Sequence, residues 1–137
     1  MKRICSLILI FALICAYKIP FRPLFKSAEG YYTLTVGEGT LGRFYTVKAE
    51  KIDCFKGVFN VSGQSLKTEN KEYIDNFLRD YSCVQIKTET VEGLTIRYYY
   101  SPEIPVYRSI NGKKVNVQTC FGKDYYVIGS PLIYCGF

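Results

Sequence analysis

One segment repeats its apolar residues at helical intervals, and that stripe constrains the architecture more than any other feature. In SLKTENKEYIDNFLRDYS, Tyr73, Ile74, Phe77, Leu78 and Tyr81 recur along one side, while Lys71, Glu72, Asp75, Asn76 and Arg79 occupy the rest. Thr68 is the expected N-cap, and Glu69 beside it complements the positive end of the helix dipole. A helix striped in this way must bury its apolar side, and in a chain of 137 residues only a sheet offers the area.

The rest of the chain supplies that sheet. GYYTLTVGEG alternates Tyr32, Leu34 and Val36 against Tyr31, Thr33 and Thr35 before a turn; a second extended segment covers Arg43 to Asp53, and FKGVFNVSG is a third that stops at Gly63. After the helix, CVQIKTETV sets Val84, Ile86, Thr88 and Thr90 against Cys83, Gln85, Lys87 and Glu89. Glu92-Gly93 turns the chain into LTIRYYYS, with Leu94, Ile96, Tyr98 and Tyr100 on one face and Thr95, Arg97 and Tyr99 on the other. A short VYRSI segment follows Pro102 and Pro105, residues suited to a sheet edge or a bend. Asn111-Gly112 then supplies the positive backbone angles of a type I′ turn. KKVNVQTCF continues with Val115, Val117, Thr119 and Phe121 facing away from Asn116, Gln118 and Cys120, and GKD makes the last turn before YYVIGSPLIYCGF. The expected fold is α+β: one principal amphipathic helix packed on an antiparallel sheet of about five to seven strands, apolar on one face, after an N-terminal apolar leader.

The leader is the opening MKRICSLILIFALICAYK, in which Lys2 and Arg3 precede an uncharged run from Ile4 to Tyr17. That layout is a signal peptide's, and the run reaches only about 21 Å as helix, short of the ~30 Å hydrocarbon core. No site near Ala16 fits the small-x-small cleavage pattern well, so a processed signal and a short retained anchor both stay open. The division expected is 1–17 leader, 18–30 spacer carrying two prolines, and 31–137 a single α+β domain. Beyond the leader there are sixteen basic and twelve acidic residues, a modest excess that favours anionic envelope surfaces without specifying one. The address is extracytoplasmic, secreted or held at the membrane by the N-terminal segment.

Four cysteines follow the leader: Cys54, Cys83, Cys120 and Cys135. An even number in an exported chain points to disulfides or simple burial, and spacing without CxxC or histidine argues against zinc. Strand parity puts Cys83 with Gln85 and Lys87, and Cys120 with Asn116 and Gln118, on the polar face away from the helix. They could bridge there if their strands are neighbours in register.

The carboxyl-terminal third, SINGKKVNVQTCFGKDYYVIGSPLIYCGF, resembles the ending of small exported proteins of Gram-positive, particularly clostridial, bacteria, in which an NGKKVN-type hairpin leads to a strand and a closing G-[ST]-P-[IL]-I segment. The order of leader, strands, one helix and meander is similar to the YwmB family, described as having a TATA-box-binding-protein-like fold. The resemblance implies a Gram-positive cell-envelope protein with a developmental role such as sporulation, and it transfers no functional residue.

The absence of histidine excludes Ser-His-Asp and Cys-His catalysis and ordinary histidine metal sites. Paired carboxylates could still serve a small wall-active hydrolase, drawn from Asp53, Glu72, Asp75, Asp80, Glu89, Glu92, Glu103 and Asp124, but their spacing does not converge. No catalytic residue, cofactor or metal is assigned. Tyrosine occurs 13 times, often in runs, and an adjacent pair in a strand must point one ring to each face. Arg97 and Tyr99, with Lys113, Lys114, Asn116 and Gln118, are the candidate ligand face, although strand packing and edge protection are the favoured explanation of these residue types. Export and low net charge argue against nucleic acid. The function expected is a non-enzymatic, envelope-associated module that binds an envelope protein or an anionic wall polymer.

Overall fold

The computed structural model describes residues 21–37, 42–55, 57–58 and 60–136, so the expected leader lies outside the described residues. Among those described, no helix is long and apolar enough to cross a membrane. The α+β class holds: β1 (Tyr31–Val36), β2 (Arg43–Lys48), a 3-10 helix (Ala49–Phe55), β3 (Val61–Thr68), α1 (Lys71–Asp80), β4 (Val84–Val91), β5 (Leu94–Tyr100), β6 (Arg108–Ile110), β7 (Lys113–Val115), β8 (Val117–Phe121) and β9 (Tyr126–Ser130). Seven strands form one antiparallel sheet in the order β2-β1-β3-β9-β8-β5-β4, and β6 and β7 form a separate ribbon.

Helix α1 leaves β3 and delivers the chain to β4 at the sheet's far edge; the gap between is filled last, by β5, β8 and β9. Its stripe is the one read from the sequence, with Ile74 and Phe77 buried and Tyr73, Leu78 and Tyr81 packed beside them. They meet Tyr32, Leu34, Leu66, Val117 and Ile128 from the sheet, and the Phe77 ring lies 5.0 Å from that of Phe25. The cap differs from expectation. Asn70, not Thr68, caps the helix, its Oδ1 accepting from the Tyr73 N–H at 3.1 Å, because β3 runs on through Thr68. At the other end Ser82 takes a left-handed φ of 52°, and the Ser82 and Cys83 N–H groups donate back to the Arg79 and Leu78 carbonyls, closing the last turn.

Three further expectations are corrected. The second extended segment ends at Lys48, where the chain coils into the 3-10 turn that buries Ala49 and Ile52, and the third strand begins only at Val61. The supposed spacer is part of the core over its described portion: Phe21 and Phe25 are buried, and Tyr32 Oη accepts from the Leu24 and Phe25 N–H groups at 3.1 and 3.2 Å. Burial raises the Tyr32 phenol pKa, which keeps the hydroxyl neutral.

The largest difference concerns the face turned away from α1. It is covered by residues 131–136, which fold back beneath the sheet so that Ile133 packs with Ile96, Cys120 and Val127. Gly129 permits this approach, since a Cβ there would meet Ile133 Cγ1 at 2.6 Å. Strands β8 and β9 are therefore buried on both sides.

Candidate functional site

The residues assigned to a ligand face do not share one. Tyr99 is 7% exposed in the helix-side core, and half-buried Arg97 lies on that same side with its guanidinium 5.4 Å from the Phe121 ring centre. Asn116, fully buried, interrupts the strand between β7 and β8. Its side chain accepts from the Ser101 N–H at 2.7 Å and donates to the Ser101 and Ile104 carbonyls at 2.7 and 2.9 Å, fixing the loop that leaves β5. Gln118, on the opposite side of the sheet, accepts from the Ile133 N–H at 2.8 Å and so holds the covering segment. Lys113 and Lys114 are exposed on the small ribbon, whose turn has the positive φ values expected of Asn111 (50°) and Gly112 (76°). Lys114 sits 4.7 Å over the Tyr107 ring. Polar residues read as surface are in two cases the internal fasteners of the fold, and full hydrogen bonding is what makes their burial tolerable.

The disulfide expectation is overturned. Strand β5 separates β4 from β8, and Cys83 packs into the helix-side cluster while Cys120 is buried in the other. Neighbouring strands are ~4.8 Å apart, so a strand lying between them, with the two thiols on opposite faces, prevents bridging. Both are free. Burial, with the Glu103 charge second, pushes the Cys83 thiol up to about 11, and burial also raises Cys120.

A different set converges beside the N-terminal end of α1. Tyr31 is the outward member of its doublet, 54% exposed because Tyr32 takes the core, and the register places Lys48 of β2 and Lys67 of β3 directly opposite it on either side. Opposed residues in an antiparallel ladder point to one face, so the three form a Lys-Tyr-Lys row. Lys67 Nζ lies 4.2 Å from the Tyr125 ring centre, which lengthens the row by a second aromatic. An open cavity of about 440 Å³ lies against Tyr31, Lys67, Tyr125 and Asn70, and one of about 290 Å³ flanks Tyr31 on the Lys48 side. Glu29 borders both, with Glu69 at the first and Glu50 at the second. The doublet rule was a usable signal for Tyr31, whereas nothing local linked Lys48, Lys67 and Tyr125.

Two lysines and two aromatic rings line this trough, with Glu29, Glu50 and Glu69 at its borders. Its cations and rings suit an elongated anionic ligand with apolar or sugar faces. Away from the trough, Glu89 on edge strand β4 has its carboxyl pKa lowered by hydrogen bonds from Lys87 and then Tyr98. Among the described residues no cluster of His, Cys, Asp and Glu could hold a metal ion. No family model, curated protein or solved structure matches the chain.

Proposed function

We propose that the protein is an exported, envelope-associated, non-enzymatic binding module that holds an anionic wall polymer along the row Lys48, Tyr31, Lys67 and Tyr125. The observation that carries this reading is the register that sets two lysines directly across from one exposed tyrosine, between two open cavities. Repeating phosphate groups on a wall polymer would meet the ammonium groups, and sugar or glycerol faces would lie on the rings. The charged leader and the resemblance of the carboxyl-terminal third to YwmB-type proteins support the extracytoplasmic address, whether the N-terminal segment is cleaved or retained as an anchor.

The test is co-sedimentation of the purified protein with isolated Gram-positive cell walls. Wild type should pellet with walls and be released as salt rises, because exposed ionic contacts are screened within about 10 Å at 0.1 M. The K48E/K67E double variant should bind about tenfold more weakly or worse. Binding that survives both charge reversals would sink the proposal, as would release of soluble wall fragments, which is the signature of the hydrolase alternative. Fractionation of the source cell with intact-mass measurement tests the address, and recovery of the full-length chain in the cytosol would overturn it.

A further inference from the structure

Among the described residues, strand β4 ends the sheet, paired with β5 on its inner side and with no strand on its outer side. Over its eight residues nothing is buried, and Val84 and Val91 near its ends are 62% and 48% exposed. An uncovered edge of this length is a template for another strand, and natural edges are normally guarded by charge or irregularity. Here Lys87 is such a guard, and the ladder irregularity between Gln85 and Lys87 is another. The guard is selective, because the charges around Thr88 are arranged so that one partner strand satisfies them.

Lys87 and Glu89 lie opposite Tyr98 and Ile96 of β5, hence on the same face, and they form an ion pair with each other. Consider a second copy related by a two-fold axis through Thr88, perpendicular to the sheet. The axis preserves the faces, as an antiparallel ladder requires of opposed residues. Thr88 then meets Thr88, Lys87 meets Glu89 of the second copy, and Glu89 meets its Lys87. Parity forbids a slip of the axis by half a residue, and centring it on Lys87 or Glu89 sets two lysines or two glutamates face to face. The charge pattern thus admits the Thr88-centred register and opposes its two nearest neighbours.

We propose that two copies of this chain join β4 to β4 antiparallel about Thr88, giving a continuous sheet with seven strands from each copy and both α1 helices on one side. This dimer is independent of the polymer-binding trough, which lies at the opposite end of the strand order.

Sedimentation of the purified full-length chain over a concentration series tests it. Wild type should pass from monomer to dimer, with amide hydrogen exchange along β4 slowing as the dimer forms. K87E and E89K should each weaken self-association about tenfold or more, since each sets like charges opposite one another twice across the axis. An equimolar mixture of the two variants should restore the dimer, because an all-acidic edge then meets an all-basic one. The intramolecular pair is lost in both variants, so rescue by mixing reports the contact between copies. A wild type that stays monomeric, variants that associate as wild type does, a mixture that does not associate, or β4 exchange that is independent of concentration would each overturn the proposal. Far-UV circular dichroism of K87E and E89K verifies the fold, and the exchange measurement tests the contact without any substitution.

Discussion

The two faces of the sheet are covered by different means. On one, α1 and the segment around Phe21 and Phe25 join the sheet in a cluster of thirteen buried residues among those described; on the other, residues 131–136 close over a cluster of four among those described. Helix α1 satisfies its own backbone hydrogen bonds and can present an apolar side, whereas the irregular segment beside it is held from the sheet, Tyr32 Oη accepting from the Leu24 and Phe25 N–H groups. The second cover is irregular throughout and is tied down from two places: Gln118 of the sheet accepts from Ile133 N–H, and Arg108 of the β6–β7 ribbon donates from Nε to the Tyr134 hydroxyl at 3.2 Å. A cover without its own hydrogen-bond ladder needs polar residues in the surface beneath it, which is why β8 carries Gln118 among Val117, Thr119 and Cys120.

If this contrast is correct, core truncations should separate by face. Ile128→Ala, in the helix-side cluster, should cost about 4 kcal/mol in urea unfolding, near the upper part of the range for a fully buried isoleucine. Asn116→Ala should follow at about 3 kcal/mol, since it strips partners from the Ser101 N–H and from two carbonyls at once. Ile133→Ala, in the smaller cluster, should cost about 2 kcal/mol, because a segment held at few points relaxes into the space. Equal losses at Ile128 and Ile133 would break the comparison.

The smallest stability effect should be a gain. Thr119 is fully buried with its Oγ1 lacking a hydrogen-bond partner, so Thr119→Val removes an unsatisfied hydroxyl at nearly constant volume and should stabilise by about 1 kcal/mol. Thiol labelling sharpens the contrast without unfolding the protein. At pH 8 and without reductant, iodoacetamide should modify the exposed Cys54 and Cys135 first and leave Cys83 and Cys120 unmodified. Burial favours the neutral thiol, so little Cys83 thiolate exists at pH 8, and its labelling should accelerate as pH rises toward about 11. Mass spectrometry after short exposures gives the order, and rapid modification of Cys120 at pH 8 would mean that residues 131–136 do not stay closed over it.

Parity reasoning succeeded where one face of a strand meets the core and failed where both do. In β1 the alternation correctly sends Tyr32 and Leu34 inward and Tyr31 out. In β8 the same reasoning makes Gln118 and Cys120 solvent-facing, yet they are as enclosed as Val117. In β4 it expects an apolar side at Val84 and Ile86, yet every residue there is exposed or half-buried. The outward member of the tyrosine run in β5 was also misassigned: Tyr99 faces the helix-side core, because the face carrying Ile96 belongs to the other cluster. Of the trough, Tyr31 was legible from its doublet, but its lysines come from strands that precede nothing recognisable as a motif and meet it only through pairing.

The sequence by itself determined the α+β class, the apolar stripe of α1, and the hairpin at Asn111-Gly112, because each depends on how a side chain is set relative to its own few residues of backbone. Tertiary structure alone decided which faces are covered, where the cysteines lie, and which lysines flank Tyr31. Those outcomes depend on where distant segments return: residues 21–25 into the core, β9 between β8 and β3, and 131–136 across the second face. Local periodicity describes the two sides a strand offers; whether either is buried is fixed by what the rest of the chain lays against it.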